Sequence, residues 1–138
     1  MSTVPDSARE LLDSATLAHL VTLNRDGSPH VTIVWVGMDG DEILFASLER
    51  RQKIRNIERD GRVALSLETD RSNAIGLREY LVVEGHARVQ EGGGPELLQS
   101  LASVYIGPGV RFPPFDDPPP GFVVRITVDH LGGVGPWA

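Results

Sequence analysis

Apolar and polar residues alternate with a two-residue period over several short segments, a pattern typical of β-strands with one buried face. The clearest alternation covers residues 62–68, where Val63, Leu65 and Leu67 take every second position. Gly85 lies within a long predicted strand, 80–89, and predicts a β-bulge. Five further strands are predicted at 17–23, 30–36, 42–47, 80–89 and 122–128.

Polar turns separate the first three predicted strands. Residues 24–28 carry Asp26-Gly27 at their centre, which is a strong hairpin signal. Residues 37–41 contain two glycines and two aspartates and predict a second turn. The first half of the chain is therefore expected to form a three-stranded meander.

Three short helices are predicted over 6–16, 49–60 and 96–105. Between the last helix and the last strand, residues 107–121 hold six of the ten prolines and predict an irregular surface loop. In the first helix, Asp6 or Ser7 is expected as the cap and Leu11, Leu12 and Ala15 as the apolar stripe. In the second helix, Ile54 and Ile57 are expected to be buried and Gly61 to end the helix. Pro95 is expected in the first turn of the last helix.

The composition limits the class of protein. With 138 residues the chain is expected to form a single domain, 1–138, and its 41% hydrophobic content can supply a core. A net charge of -6 argues against nucleic-acid or membrane-surface partners, and no apolar run approaches the ~18 residues of a membrane span. No metal site is expected, because cysteine is absent and the four histidines are scattered. A cytoplasmic protein is the expectation.

The main chemical candidate is a basic segment, 50–55, at the start of the second predicted helix. It contains Lys53, the single lysine among the 13 basic residues, together with Arg50, Arg51 and Arg55. Cations oppose the helix dipole at this end, whereas a bound anion would be attracted by the dipole, the free N–H groups and the cations together. The alternative is a solvated basic surface paired with nearby acidic residues.

The order of several motifs resembles the pyridoxamine 5′-phosphate oxidase-like family of split β-barrels, and within it the actinobacterial branch that uses the deazaflavin coenzyme F-420. The matching segments are Leu23-Asn24-Arg25-Asp26-Gly27-Ser28-Pro29-His30, Val34-Trp35, Lys53-Ile54-Arg55-Asn56-Ile57-Glu58-Arg59-Asp60 and Gly135-Pro136-Trp137. The resemblance runs from about residue 17 to the end. It implies a mostly β, antiparallel split barrel that forms a homodimer with cofactors at the subunit interface.

The resemblance also implies a set of cofactor-binding residues. The isoalloxazine-like ring would lie against the second and third predicted strands, and the phosphate would lie at the basic segment. The residues implied are Thr32, Val34, Trp35, Ala46 and Ser47 beside the ring, and Arg51, Lys53, Asn56 and Arg55 at the phosphate.

The expected function is an oxidoreductase that uses coenzyme F-420 as hydride carrier to reduce a small organic substrate, with no assigned catalytic side chain. One alternative is an FMN-binding flavoprotein of the same fold, and another is a non-catalytic carrier of either cofactor. Arg125 and His130 are the sole candidates for the substrate ligands that pyridoxamine phosphate oxidases carry near the C-terminus. This departure argues against vitamin B6 oxidation.

Overall fold

The computed structural model describes residues 4–138. Within them the chain is mostly β, with short helices between the strands. The elements are α1 (Asp6–Leu12), β1 (Ala18–Leu23), β2 (Pro29–Val34), β3 (Gly37–Asp39), β4 (Glu42–Ser47), α2 (Gln52–Arg59), β5 (Arg62–Ser72), β6 (Arg78–Glu91), α3 (Gly94–Tyr105) and β7 (Phe122–Val134).

The strands form a sheet in the order β2-β1-β5-β6-β7-β4-β3, and neighbouring strands are antiparallel. β2 and β3 are the two ends of this order, yet only Trp35 and Val36 separate them in the chain. Since three residue steps span at most roughly 11 Å, the two outer edges must lie close together. The sheet therefore curls until its two outer edges face each other. The gap between these edges is called the seam below.

The core fills the inside of the curled sheet. Every second residue of β1, β4 and the first half of β5 is buried, which confirms the predicted alternation at 62–68. Ile54 and Ile57 of α2 are buried as predicted and close one opening, while Leu12 of α1 joins the same cluster. The largest fully buried side chains include Phe45, Leu20, Ile43, Leu65, Leu67, Leu81 and Ile126.

The predicted meander is wrong. β4 pairs with β7, from Glu42 opposite Thr127 to Ser47 opposite Phe122, and not with β2. The segment 37–41 is not all turn either, because Gly37–Asp39 forms β3 against β4. A turn signal shows that the chain reverses but does not show which strand will lie alongside.

Some helix markers also differ from expectation. α1 ends at Leu12, Pro5 occupies its N-cap without a side-chain cap, and Ala15 is exposed. α2 begins at Gln52, so Arg50 and Arg51 precede the helix. Pro95 does lie in the first turn of α3, as predicted.

Close backbone contacts explain why two positions are glycine. A Cβ at Gly85 would lie 2.3 Å from the Thr127 carbonyl oxygen, and the predicted bulge is confirmed by a register shift beside it. α2 ends with an extended Asp60, so Gly61 does not act as the predicted terminator. A Cβ at Gly61 would lie 2.7 Å from the Ala87 carbonyl oxygen, so tight packing against β6 explains that glycine.

The last strands are longer than predicted. β5 continues to Ser72, and β7 continues through the glycine-rich segment to Val134. Backbone hydrogen bonding extends a strand pair past the point where apolar alternation stops. No helix in residues 4–138 combines the length and apolar character needed to cross a membrane.

Replacing Phe45 by alanine tests the core. The side chain is fully buried on β4, so we expect the free energy of unfolding to fall by about 3–5 kcal/mol. Val104→Ala, at a half-exposed position of α3, should change it by about 0.5 kcal/mol or less. Urea denaturation of both variants measures the difference, and equal effects would contradict the proposed core.

Candidate functional site

Three neighbouring cavities lie along β2 and the start of α2 and are together called the seam groove. The turn-end and middle cavities share His30 and Gln52, and the middle and aromatic-end cavities share Lys53. The turn end, of about 590 Å³, is lined by Asn24, Arg25, Asp26, Ser28, His30 and Gln52. The middle, of about 250 Å³, is lined by His30, Thr32, Arg51, Gln52 and Lys53. The aromatic end, of about 220 Å³, is lined by Ile33, Val34, Trp35, Ala46, Lys53, Leu98 and Phe112.

Lys53 is the central charge of the seam groove. Its ammonium makes no hydrogen bond or ion pair with any group in residues 4–138. Burial, followed by the positive charge of Arg51, lowers the pKa of Lys53 below its ordinary value. A half-buried cation without a partner is costly, and a bound anion would remove that cost.

The start of α2 adds further positive potential to the middle of the groove. Arg51 occupies the N-cap, no side chain caps the helix, and the first turn holds no acidic residue. The backbone N–H groups of Gln52 and Lys53 find no acceptor within the described chain. Free N–H groups at a helix start bind anions readily.

Two buried polar atoms in the middle cavity also lack partners. The Nδ1 atom of His30 and the Oγ1 atom of Thr32 are buried without a hydrogen bond in residues 4–138. Buried polar atoms are nearly always hydrogen-bonded, so orphaned ones beside a cavity point to a missing ligand or water. The hydroxyl of Thr32 can donate to an anionic oxygen, and His30 can do so when Nδ1 carries the proton.

The two ends of the groove differ in chemistry. At the turn end, Arg25 is exposed and makes no ion pair within the described chain. Asp26, beside it, accepts hydrogen bonds from the Ser28 side chain and backbone, which lower the pKa of that carboxyl. At the aromatic end, Trp35 stacks on Tyr105 with ring centroids 5.5 Å apart and meets Phe112 at 5.1 Å. The groove thus joins a polar mouth to an apolar, aromatic pocket.

A sequence profile of the pyridoxamine 5′-phosphate oxidase family matches residues 4–134. The chain belongs to the pyridoxamine 5′-phosphate oxidase family. Members of this family bind flavins such as FMN, and the family includes oxidoreductases. The seam groove offers what a flavin phosphate needs, namely an unpaired ammonium, free helix N–H groups and orphaned polar atoms.

Solved structures support the family's split-barrel fold, and the predicted fold class is confirmed. A structure titled F420 reductase is 26% identical, covers 94% of this chain and 98% of its own, and has a TM-score of 0.75. A conserved hypothetical protein from Mycobacterium tuberculosis is 25% identical over 96% of this chain and 84% of its own, with a TM-score of 0.71. A putative pyridoxamine 5′-phosphate oxidase from Listeria innocua, at 16% identity, 94% and 96% coverage and a TM-score of 0.68, shows the fold alone. No curated protein matches the sequence.

Most of the residues implied by the family resemblance do line the seam groove. They are Thr32, Val34, Trp35, Ala46, Arg51 and Lys53. Their contact with a cofactor stays a prediction. Within residues 4–138, no three His, Asp or Glu side chains are grouped as metal ligands.

The remaining three predicted residues, Ser47, Arg55 and Asn56, form hydrogen bonds with other groups of the protein. The buried Ser47 hydroxyl donates to the Glu49 carbonyl oxygen at 2.7 Å. Arg55 is exposed and donates to the Arg50 carbonyl oxygen and to the Gln52 side chain. None of the three lines the groove cavities.

Asn56 is fully buried and joins α2 to the first hairpin. Its amide nitrogen donates to the Thr22 hydroxyl and to the Asn24 side chain, both at 3.0 Å. Its carbonyl oxygen accepts a bond of 2.8 Å from Gln52. Asn56 therefore positions the helix start and the turn end of the groove instead of reaching the space between them.

Arg50 fits the alternative of a paired basic surface. Its guanidinium forms ion pairs with Glu58 and Glu91 and lies 4.8 Å above the Phe122 ring. Arg51 has a looser contact of 3.5 Å with Glu49 and still lines the middle cavity. The basic segment is thus divided between surface ion pairs and the groove.

In the middle and the aromatic end of the groove, five lining residues were not among the predicted cofactor-binding residues. Gln52 and His30 lie next to predicted positions, so the helix start and the strand could have nominated them. Leu98 and Phe112 come from α3 and the proline-rich loop, and no local signal connects those segments with β2. Ile33 belongs to the predicted strand, but its neighbours Thr32 and Val34 were the residues predicted to lie beside the ring.

Asn56→Ala should destabilise the protein by about 1–3 kcal/mol, because it leaves the buried Thr22 hydroxyl without its donor. Arg55→Ala, at the preceding exposed position, should have little effect. Urea denaturation of the two variants is the measurement. An Asn56→Ala protein as stable as the wild type would contradict the positioning role.

Lys53→Met should stabilise the ligand-free protein near neutral pH. Because folding lowers the pKa of Lys53 below 10.5, the folded chain holds this proton less tightly than the unfolded chain does. The charge therefore opposes folding at neutral pH, and its cost fades as the pH rises toward 10.5. Urea denaturation at neutral and alkaline pH should show an advantage for the methionine variant that shrinks as the pH rises. A less stable variant at neutral pH would contradict the prediction.

Proposed function

We propose that this protein is an oxidoreductase that uses the deazaflavin coenzyme F-420 to reduce a small organic substrate. One observation carries the proposal, which is the unpaired ammonium of Lys53 midway along a groove with a polar mouth and an apolar aromatic end. A cofactor that carries a flat ring at one end and a long anionic chain at the other matches this order of groove regions. The 26% identity to a structure titled F420 reductase supports the choice of coenzyme.

The groove residues would divide the coenzyme among them. Lys53, Arg51 and the free N–H groups at the start of α2 would hold the phosphate, with the Thr32 hydroxyl as a further donor. Val34, Trp35 and Ala46 would lie beside the ring. The anionic tail would extend over Arg25 at the turn end.

When bound, the coenzyme supplies a hydride from C5 of its reduced ring. The apolar walls of the aromatic end would hold the acceptor beside the ring. Lys53 is the single titratable side chain lining that end in the described chain, and it would pair with the phosphate. The proton that completes the reduction would therefore come from water, and no side chain is assigned as acid or base.

FMN is the alternative cofactor, favoured by the flavin binding of the family. The middle and the aromatic end alone would hold its phosphate and ring, so the turn end would stay unused. A carrier without turnover is the second alternative. Tightly bound FMN would colour the purified protein yellow, and a carrier would bind reduced coenzyme F-420 without passing its hydride to any acceptor.

A homodimer is part of the proposal. Val31 and Ile33 of the outer strand β2 are 59% and 56% exposed, which is unusual for large apolar side chains on a sheet. A second copy packed on this strand would cover them and would complete the cofactor pocket. An actinobacterial source and a cytoplasmic location stay predictions of the sequence.

Lys53→Met should weaken coenzyme F-420 binding by about 1.5–3 kcal/mol, the value of a hydrogen bond to a charged group. Arg62→Met is the matched control, since this arginine pairs with Asp60 away from the groove. Fluorescence titration of both variants and the wild type with coenzyme F-420 and with FMN measures the affinities. Equal affinity of Lys53→Met and wild type would overturn the phosphate site, and preference for FMN would overturn the choice of coenzyme.

A further inference from the structure

The proline-rich loop, residues 107–121, forms the outer wall of the aromatic end through one side chain. Phe112 lines the aromatic end beside Trp35 and also lines a second cavity of about 710 Å³, called the loop cavity. The loop cavity lies between the start of α3 and the loop, and Glu96, Gln99 and Phe115 are among its walls. The ring of Phe112 is therefore the partition between the two spaces.

Gln99 of α3 fixes the segment that carries Phe112. Its side-chain nitrogen donates to the Val110 carbonyl oxygen at 2.6 Å, and its side-chain oxygen accepts from the Phe112 backbone N–H at 2.9 Å. These two bonds engage both the nitrogen and the oxygen of the amide and hold the backbone on both sides of Arg111. The loop lacks regular structure of its own at this point, so the amide substitutes for a strand partner.

The far end of the loop is held as well. The Gly94 N–H donates to the Pro120 carbonyl oxygen at 2.9 Å at the start of α3. Gly121, in a left-handed conformation, lies so close to β4 that an added Cβ would be 2.5 Å from the Ser47 carbonyl oxygen. With both ends tied to α3 and β4, the Phe112 ring is kept at its distance from Trp35.

We infer that Phe112 is the specificity-determining residue of the aromatic end and that Gln99 is its positioning residue. The inference rests on the proposed function and adds a substrate class, which is a small, flat, uncharged hydride acceptor, with a one-ring quinone as the probe. The apolar walls disfavour charged groups, and the partition limits the length of the substrate. Removing the phenyl ring joins the aromatic end to the loop cavity and admits fused multi-ring acceptors.

The test compares wild type with Phe112→Ala, Gln99→Met and Phe115→Ala. Phe115 is the matched control, because it lies on the same loop, is 48% exposed and lines the loop cavity without lining the aromatic end. The assay follows oxidation of reduced coenzyme F-420 by benzoquinone and by phenanthrenequinone, corrected for the uncatalysed rate. Each quinone takes up the hydride and a proton from water to give the hydroquinone.

Phe112→Ala should raise the ratio of kcat/KM for phenanthrenequinone over benzoquinone by about tenfold, the scale of discrimination by pocket size. Gln99→Met should shift the ratio in the same direction by a smaller factor, and Phe115→Ala should leave it at the wild-type value. A merely structural role of Gln99 would lower both activities and leave the ratio alone. An active wild type whose ratio is the same in all variants would overturn the inference.

A second measurement separates this inference from the proposed function. Acrylamide quenching of tryptophan fluorescence needs no cofactor, and Trp137 is buried, so new quenching reports on Trp35. Quenching should increase in Phe112→Ala and Gln99→Met but not in Phe115→Ala, with circular dichroism confirming that each variant folds. A wild type that binds neither cofactor would overturn the proposed function, whereas unchanged quenching in both loop variants would overturn the partition by Phe112.

Discussion

The seam depends on one constraint, which is that two residues connect strands at opposite ends of the sheet order. Trp35 and Val36 are too short a link to let the edges of β2 and β3 part, so the sheet must curl and leave a gap where they face each other. The hydroxyl of Tyr105 accepts a hydrogen bond from the Val36 N–H at 3.0 Å and donates to a neighbouring carbonyl oxygen, which satisfies backbone at this gap. The groove lies along the β2 edge, and its further walls come from Trp35, β4, the start of α2, α3 and the proline-rich loop.

The electrostatics of the groove run against folding stability. Lys53 is half-buried without a partner, and the start of α2 offers free N–H groups where a stable helix would have a capping side chain or an acidic residue. Features that cost free energy in the ligand-free chain are expected at binding sites, because the ligand repays them. Arg50, another cation of the same basic segment, is instead paired with Glu58 and Glu91 and lines no groove cavity.

Local patterns predicted the local structure well. The buried alternation around Leu65, the buried face of α2 and the bulge at Gly85 each depend on residues close in sequence. The pairing of β4 with β7 joins residues about 80 positions apart, and no periodicity encodes such a choice. A similar separation in sequence explains why no local pattern predicted Phe112 as a groove residue. The burial of Asn56 shows that a residue of a family motif can stabilise the fold without lining the groove.

The pairing of β4 with β7 also sets the order in which the site can be assembled. The hairpin of β1 and β2 needs only neighbouring residues, but β4 has β3, a three-residue strand, as its sole partner until β7 reaches it. Long-range pairing of this kind is slow because a large loop must close first. Ala46, which lines the aromatic end, lies on that late strand opposite Val123. The aromatic end is thus completed only when the last strand pairs, whereas the turn end is lined by the local hairpin and α2.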